Sequence, residues 1–306
     1  MLKDILSTCL GIAQGETVLV VTDADMLGVA GELEMAAKEL SNEVITMRMK
    51  PRSRHAEEPP LAVARAMEAS DVVLIPTSKS LSHTDARKQA CDKGARIASM
   101  PGITMSMLKS GGLTADYNSV KKMSEEVAGM LTQVAEIRIK SEQGMDFKAS
   151  IKGRRGLADT GIFIEKGAFG NLPAGEGFIA PLEGESKGTV VFDGSFGRTG
   201  VLREPIRFYV ENGRVTKSDS QELKEYLKYE NADNIAEIGI GTNPKAMIIG
   251  NILEDEKVLG TAHVALGDNH TFGGLSKAEV HLDGIIRKPS IWLDERQIMQ
   301  KGRLLI

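Results

Sequence analysis

The chain has 306 residues, 38 basic and 42 acidic, a formal charge of −4, and 42% hydrophobic and 26% charged residues. This balance excludes a disordered chain and supplies no electrostatic drive toward nucleic acid or anionic lipid; no apolar run approaches the ~20 residues of a membrane helix. Two cysteines, Cys9 and Cys91, are too few for a disulfide framework or a thiolate zinc site, and the first residues lack a basic stretch followed by an apolar one, so a cytoplasmic protein of about two domains is expected.

Residues 17–22 (TVLVVT) form a continuous β-branched and apolar run, the pattern of a strand buried on both faces. Val29, Leu33, Ala36, Ala37 and Leu40 follow at helical spacing. A second strand is expected at 44–47, then a helix at 57–69 with Pro59 and Pro60 in its first turn, where missing amides cost least. A third strand follows at 71–76, a helix at 84–93 stopped by Gly94, a fourth strand at 96–100, and an amphipathic helix at 119–135. Cys9 and Cys91 read as small core residues on helices. This alternation predicts an α/β fold, a doubly wound and mostly parallel sheet over residues 1–135.

Beyond residue 135 the texture changes to short β-rich runs at 135–140, 147–151, 188–192, 206–210, 235–240, 260–265 and 278–283, with one helix at 221–228. Turn pairs such as Asn212-Gly213 and Asp193-Gly194 favour hairpins. Residues 136–306 are therefore expected to form a mostly antiparallel β (α+β) domain carrying the catalytic site. The Glu254-Asp255-Glu256 cluster reads as a solvated turn.

Several motifs are missing. No G-x-G-x-x-G follows the first strand, and there is neither a P-loop nor an H-E-x-x-H. Residues 184–188 (GESKG) match G-x-S-x-G. However, a nucleophile elbow needs a strand before it and a helix after, and here a loop precedes and a strand follows, so a turn is expected.

A different constellation lies in the second half. His281 and Asp283 alternate with Val280 and Leu282, so on a strand they share one face and can share a metal ion; a solvated polar strand face gives the same pattern. In Glu237-Ile238-Gly239-Ile240-Gly241, the isoleucines point to the core, and the glycines leave open space beside Glu237 of the kind a bound ion or substrate needs. An edge strand with glycine bulges is the alternative. His263 stands in an otherwise apolar run, where a histidine is more often a satisfied core residue than a ligand. Glu176 lies in a glycine- and proline-rich segment, residues 171–181 (NLPAGEGFIAP), expected to be a loop. As a set, Glu176, Glu237, His263, His281 and Asp283 offer the mixed oxygen and nitrogen donors that suit zinc, cobalt, manganese or iron.

These segments in this order resemble the thermophilic metalloaminopeptidase family typified by aminopeptidase T. Its pattern runs N-L-P-x-x-E-x-F-x-A-P, E-x-G-[IL]-G-x-N-P, G-T-x-H-x-A-L-G and H-x-D, met here at residues 171–181, 237–244, 260–267 and 281–283. Residues 82–87 and 99–102 of the first half fit as well. The resemblance implies a dimeric, metal-dependent exopeptidase. Glu176, Glu237, His263, His281 and Asp283 would bind two divalent ions (Zn, Co or Mn), Glu237 bridging them, and the ions would activate a water for attack on the N-terminal peptide bond. A family tyrosine seven residues after the histidine of H-x-A-L-G is replaced by His270, which with Glu237 is the implied catalytic pair. The same superfamily includes ring-cleaving dioxygenases acting on dihydroxypyridines, which hold one ferrous ion by two histidines and a carboxylate; His281 and Asp283 with His263 or His270 would supply that set. A third alternative is a metal-binding relative without turnover. The partner expected is a peptide or small-molecule substrate and a second copy of the chain, with neither nucleic acid nor membrane. His83 and Arg87, one turn apart on a helix, read equally as contact residues or surface decoration.

Overall fold

The computed structural model describes all 306 residues apart from the side chain of Glu222. The apolar run near the start forms the strand Thr17–Asp23, buried from its second residue onward. It lies inside an all-parallel sheet in the order Glu43–Met49, Thr17–Asp23, Val72–Ile75, Arg96–Ser99, Phe169–Asn171. Helices Leu2–Leu10, Leu27–Lys38, Leu61–Glu68 and Asp85–Asp92 alternate with these strands. Leu19, Val21, Val73, Ile75 and Ile97 pack with Val63 and Met67 of the third helix in one core, each fully buried aliphatic side chain contributing ~1.5–3 kcal/mol.

Local details refine the expectations. Thr84 caps the helix Asp85–Asp92, its hydroxyl accepting from the Arg87 N–H at 3.2 Å, and Gly94 sits at φ +106° just past its end. His83 precedes that helix rather than sharing it with Arg87. Pro59 and Pro60 lie ahead of the third helix, not in its first turn. Pro60 is the N-cap with ψ 146°, and the helix starts at Leu61.

By packing, the chain divides into two compact units, Met1–Lys121 with Thr160–Ala174, and Lys122–Asp159 with Gly175–Ile306. The first holds the parallel sheet. The second holds two antiparallel sheets. One has the order Arg214–Ser218, Ile206–Glu211, Ser186–Phe192, Asp146–Ser150, Glu136–Lys140, Ser290–Leu293, Arg296–Gln300, Arg303–Leu304. The other has the order Gly200–Val201, Ser195–Phe196, His281–Arg287, Thr261–Gly267, Ile235–Gly241, Glu176–Ile179, Leu157–Asp159. Phe147, Val190 and Phe208 of the first sheet and Ile238, Ile240, Val264 and Ile286 of the second share one core, as face-to-face sheets require. The rings of Phe192, Phe196 and Phe208 lie 5.1–5.3 Å apart within it.

In the GESKG segment, Ser186 opens the strand Ser186–Phe192 and a further strand, Ser195–Phe196, follows, so the nucleophile-elbow context is missing. The acidic cluster is not a solvated turn. Glu254 and Asp255 are buried in the one-turn helix Ile252–Asp255. Glu254 accepts from the Met247 N–H at 3.1 Å, and Asp255 accepts from Ile249 and Gly250 at 2.7 and 3.0 Å. These carboxylates satisfy loop amides that would otherwise be orphaned. Among the described residues no helix is long and apolar enough to cross a membrane.

Candidate metal centre

The strands Ile235–Gly241, Thr261–Gly267 and His281–Arg287 lie side by side, with Glu176–Ile179 on the outer flank of the first. Strand alternation sends Ile238, Ile240, Val264, Leu282 and Ile286 into the core. Glu237, His263, His281, Asp283 and Glu176 therefore share the opposite face. The register sets Gly239 opposite His263, Ala265 opposite Asp283, Gly267 opposite His281 and Gly241 opposite Glu176. Each of these side chains thus faces a small residue on one neighbouring strand, while on the other side His263 faces Ile285 and Glu176 faces Asp159.

Two expectations change here. Glu176 is the first residue of a strand, not part of a loop. The space over Gly239 is not open, because the His263 imidazole fills it. A Cβ at Gly239 would lie 2.1 Å from both Cε1 and Nε2 of that ring. Nor is the glycine-bearing strand an edge strand, since it is paired on both sides.

All five residues come together. His263 Nε2 lies 3.2 Å from Glu176 Oε2 and 3.2 Å from Glu237 Oε1. His281 Nε2 lies 3.6 Å from Glu237 Oε2 and 3.4 Å from Asp283 Oδ1. Two groups result, Glu176–Glu237–His263 and Glu237–His281–Asp283, each with ligand atoms within 4.8 Å of one another and with Glu237 common to both. His270 belongs to neither. It is on the surface, its Nδ1 2.6 Å from Asp268 Oδ1.

A further residue escaped the sequence reading. Lys257 is fully buried, and its Nζ lies 2.6 Å from Glu176 Oε1, 2.7 Å from Glu256 Oε1 and 3.1 Å from Asp159 Oδ2. Three carboxylates surround this ammonium, and with Glu237 and Asp283 five share the centre with it, a charge balance that a low-dielectric interior does not tolerate without more positive charge. In the metal-free chain protons provide it. Burial pushes Glu176 up to about 8, although Lys257 pulls the other way. Burial lowers His263, but the hydrogen bond to Glu237 and the charge of Glu176 outweigh it and raise the group to about 9. Burial acts likewise on His281, and Asp283 raises it to about 10. Asp283 is held below its usual range despite burial, through His281.

The donor chemistry fits a divalent ion that would displace those protons. His281 is prepared as a ligand, because its Nδ1–H donates to the Asp268 carbonyl at 2.8 Å and leaves the Nε2 lone pair facing Glu237 and Asp283. His263 lacks this support, since its buried Nδ1 has no hydrogen-bond partner. The side chain of His281 is also 32% exposed, whereas that of His263 is fully buried. Phe272 stands edge-on to the His281 ring at 5.8 Å and to Phe178 at 5.8 Å.

Comparison with known proteins identifies the family. The family model of 2,5-dihydroxypyridine 5,6-dioxygenase (NicX) matches residues 1–306. A 2,5-dihydroxypyridine 5,6-dioxygenase of Pseudomonas putida KT2440 is 26% identical over 264 residues, 79% of this chain and 73% of that protein. The solved 2,5-dihydroxypyridine dioxygenase structure from the same organism superposes with a TM-score of 0.81 at 21% identity, over 99% of this chain and 96% of that one. Wild-type AmpT from Thermus thermophilus superposes with a TM-score of 0.73 at 15% identity, over 100% and 99% of the two chains. At these identities the two structures show a shared fold and nothing finer. The family match overturns the expectation of a metalloaminopeptidase-like hydrolase, and with it the labels aminopeptidase and protease. The four motifs that suggested it are the strands that build the polar face, and the AmpT likeness lies in that fold. From its first residue to its last, this chain belongs to the 2,5-dihydroxypyridine 5,6-dioxygenase family.

Proposed function

We propose that the chain is an iron-dependent, ring-cleaving dioxygenase acting on hydroxylated pyridines, with Glu237, His281 and Asp283 as the residues that hold the metal. The observation that carries this reading is the family match over the whole chain. The donor set supports it, since one imidazole and two carboxylates suit Fe(II) better than softer ions. It departs from the expected pair of histidines with one carboxylate. The third donor gathered with His281 and Asp283 is Glu237, rather than His263 or His270.

A ferrous ion held there would supply the one-electron chemistry that lets dioxygen react with a closed-shell aromatic ring. The chain's own residues set the conditions. The Asp268 carbonyl fixes the His281 tautomer and ring plane. His263 Nε2 lies 3.2 Å from both Glu176 and Glu237 and is hydrogen-bonded to Glu237, so Glu237 is oriented from within the chain. Phe272 gives an apolar flank to His281, the most exposed member of the set, and a flat aromatic ring can pack there. Both oxygen atoms of O2 would enter the product, one at each carbon of the broken ring bond. The same reading keeps a small-molecule substrate in place of a peptide, a homodimer and a cytoplasmic location.

The test is an oxygen electrode. Protein prepared anaerobically and loaded with Fe(II) should consume O2 in step with the loss of 2,5-dihydroxypyridine absorbance, and Asp283→Asn should abolish both. No O2 uptake across a panel of hydroxylated pyridines would refute the reading.

A further inference from the structure

The ligand-bearing face of the second sheet continues onto its outermost strand. Leu157–Asp159 pairs with Glu176–Ile179, Leu157 opposite Phe178 and Asp159 opposite Glu176, so Leu157 and Phe178 extend the side on which Glu176 stands. The other side of both strands is pressed against a helix. A Cβ at Gly156 would lie 2.3 Å from the Ala128 carbonyl oxygen, and one at Gly177 would lie 2.6 Å from Val127. The Gly156 N–H also donates to the Thr132 hydroxyl at 2.9 Å. With Gly156 held inward, Arg155 stands in line with Leu157. Arg154, Arg155, Leu157, Ala180 and Phe272 border an open cavity of about 270 Å³. That is just under the ~300–1,000 Å³ of a drug-sized site, and so suits one ring or a short chain.

Charge decides what such a cavity takes. No acidic residue lines it. Arg154 is committed to Glu183, which also accepts from the Leu275 N–H at 2.7 Å and the Asn269 amide at 3.2 Å and so holds the loop that carries Phe272. Arg155 is exposed, and among the described residues no carboxylate pairs with it. On open surface one guanidinium contributes little. Beside the apolar walls of Leu157, Ala180 and Phe272 its charge is less screened, and its planar fork matches a carboxylate. The cavity shares a wall with the metal centre, since the Phe272 ring lies 5.8 Å from the rings of both Phe178 and His281.

We propose that this cavity is a carboxylate subsite beside the oxygenation centre, in which Arg155 selects for the charge. The inference rests on the dioxygenase reading for the source of the carboxylate. Cleavage of a 2,5-dihydroxypyridine at its 5,6 bond creates one. The C5–C6 bond breaks, the hydroxyl-bearing C5 takes one oxygen of O2 and becomes a carboxylic acid, and C6 takes the other and becomes a formyl group on nitrogen, with no further oxidant or reductant. A neutral substrate thus yields an anion. A hydroxypyridine that already carries a carboxylate presents the same group before cleavage.

The test reads binding, not turnover. Mn(II)-loaded protein without O2 is titrated by calorimetry with two anions and their neutral amides: maleamate against maleamide for the opened chain, and 6-hydroxynicotinate against 6-hydroxynicotinamide for the ring. At least one anion should bind tenfold more tightly than its amide. Preference for maleamate alone assigns the subsite to the product, for 6-hydroxynicotinate alone to a carboxylated substrate, and for both to the carboxylate itself. Arg155→Ala should remove the preference and Arg155→Lys should keep part of it. Lys187→Ala, which removes an exposed charge outside the cavity, should leave it unchanged. No preference for either anion, a preference that survives Arg155→Ala, or an equal loss in Lys187→Ala would overturn the proposal. Anion preference without O2 uptake on any hydroxypyridine would sink the dioxygenase reading and leave the carboxylate subsite standing.

Discussion

Gly239→Ala changes no charge and no ligand atom, yet it should dismantle half of the centre. Gly239 sits in ordinary strand conformation, so the effect comes from the clash, not from the backbone. The new methyl would lie 2.1 Å from Cε1 and Nε2 of His263, about 1.3 Å short of the 3.4 Å at which ordinary contact begins. The ring is fully buried, and moving it by that amount stretches the 3.2 Å hydrogen bond to Glu237 beyond reach and weakens the 3.2 Å charge contact to Glu176. Overpacking and the loss of that charge-assisted hydrogen bond together cost about 3–5 kcal/mol. For a unit of this size, that lowers Tm by roughly 6–20 °C. The assay is thermal unfolding of the metal-free wild type, Gly239→Ala, His263→Ala and the double variant. With the imidazole gone the methyl has room, so Gly239→Ala should cost less than about 1 kcal/mol in the His263→Ala background. An equal cost in both backgrounds, or a single variant melting with the wild type, would refute the packing argument.

Asp283→Asn and His281→Ala should each lower Mn(II) affinity at least tenfold, read by calorimetry, while His270→Ala should leave it unchanged because His270 lies outside both ligand groups. Metal-free protein should lose stability as pH rises from about 6 to 9, followed by chemical denaturation. Glu176 titrates at about 8 against an ordinary 4.5, and His263 and His281 at about 9 and 10 against 6.5. The folded chain therefore holds protons that the unfolded chain releases, and each contribution is lost as pH climbs through the folded value. Stabilisation by added Mn(II) should move the opposite way and grow with pH, since the ion displaces those protons; a flat profile for both would contradict the assignment. Gly241→Ala should destabilise through the Val258 carbonyl, 2.1 Å from the added carbon, visible as a lower denaturation midpoint.

Much of the fold was legible because its signals are local. The unbroken apolar run of the central strand and the helix-strand alternation declare a parallel sheet, and period-two alternation put His281 with Asp283 on one strand face and turned Glu237 away from the core isoleucines of its own strand. What stayed hidden depends on distant partners. The strand Phe169–Asn171 is too short to carry a period and joins the parallel sheet only by tertiary pairing. Lys257 and the acids before it look like a hydrophilic turn, and their burial becomes visible only once the loop amides and Glu176 are in place. A signal existed in hindsight, for the cluster is bracketed by Ile252-Leu253 and Val258-Leu259, an apolar frame unusual for a solvated turn. The activity was misread for a related reason. The ligand-bearing strands belong to a scaffold that AmpT shares, so motifs that mark the scaffold do not by themselves select the reaction.

The central claim, oxygen insertion into a ring at a single-metal centre, is tested most directly with isotopically labelled dioxygen. Fe(II)-loaded protein is given 2,5-dihydroxypyridine under labelled O2, and the product is weighed by mass spectrometry. The account predicts two labelled oxygen atoms in each ring-opened product molecule. One labelled atom, or none with the ring intact, would contradict it.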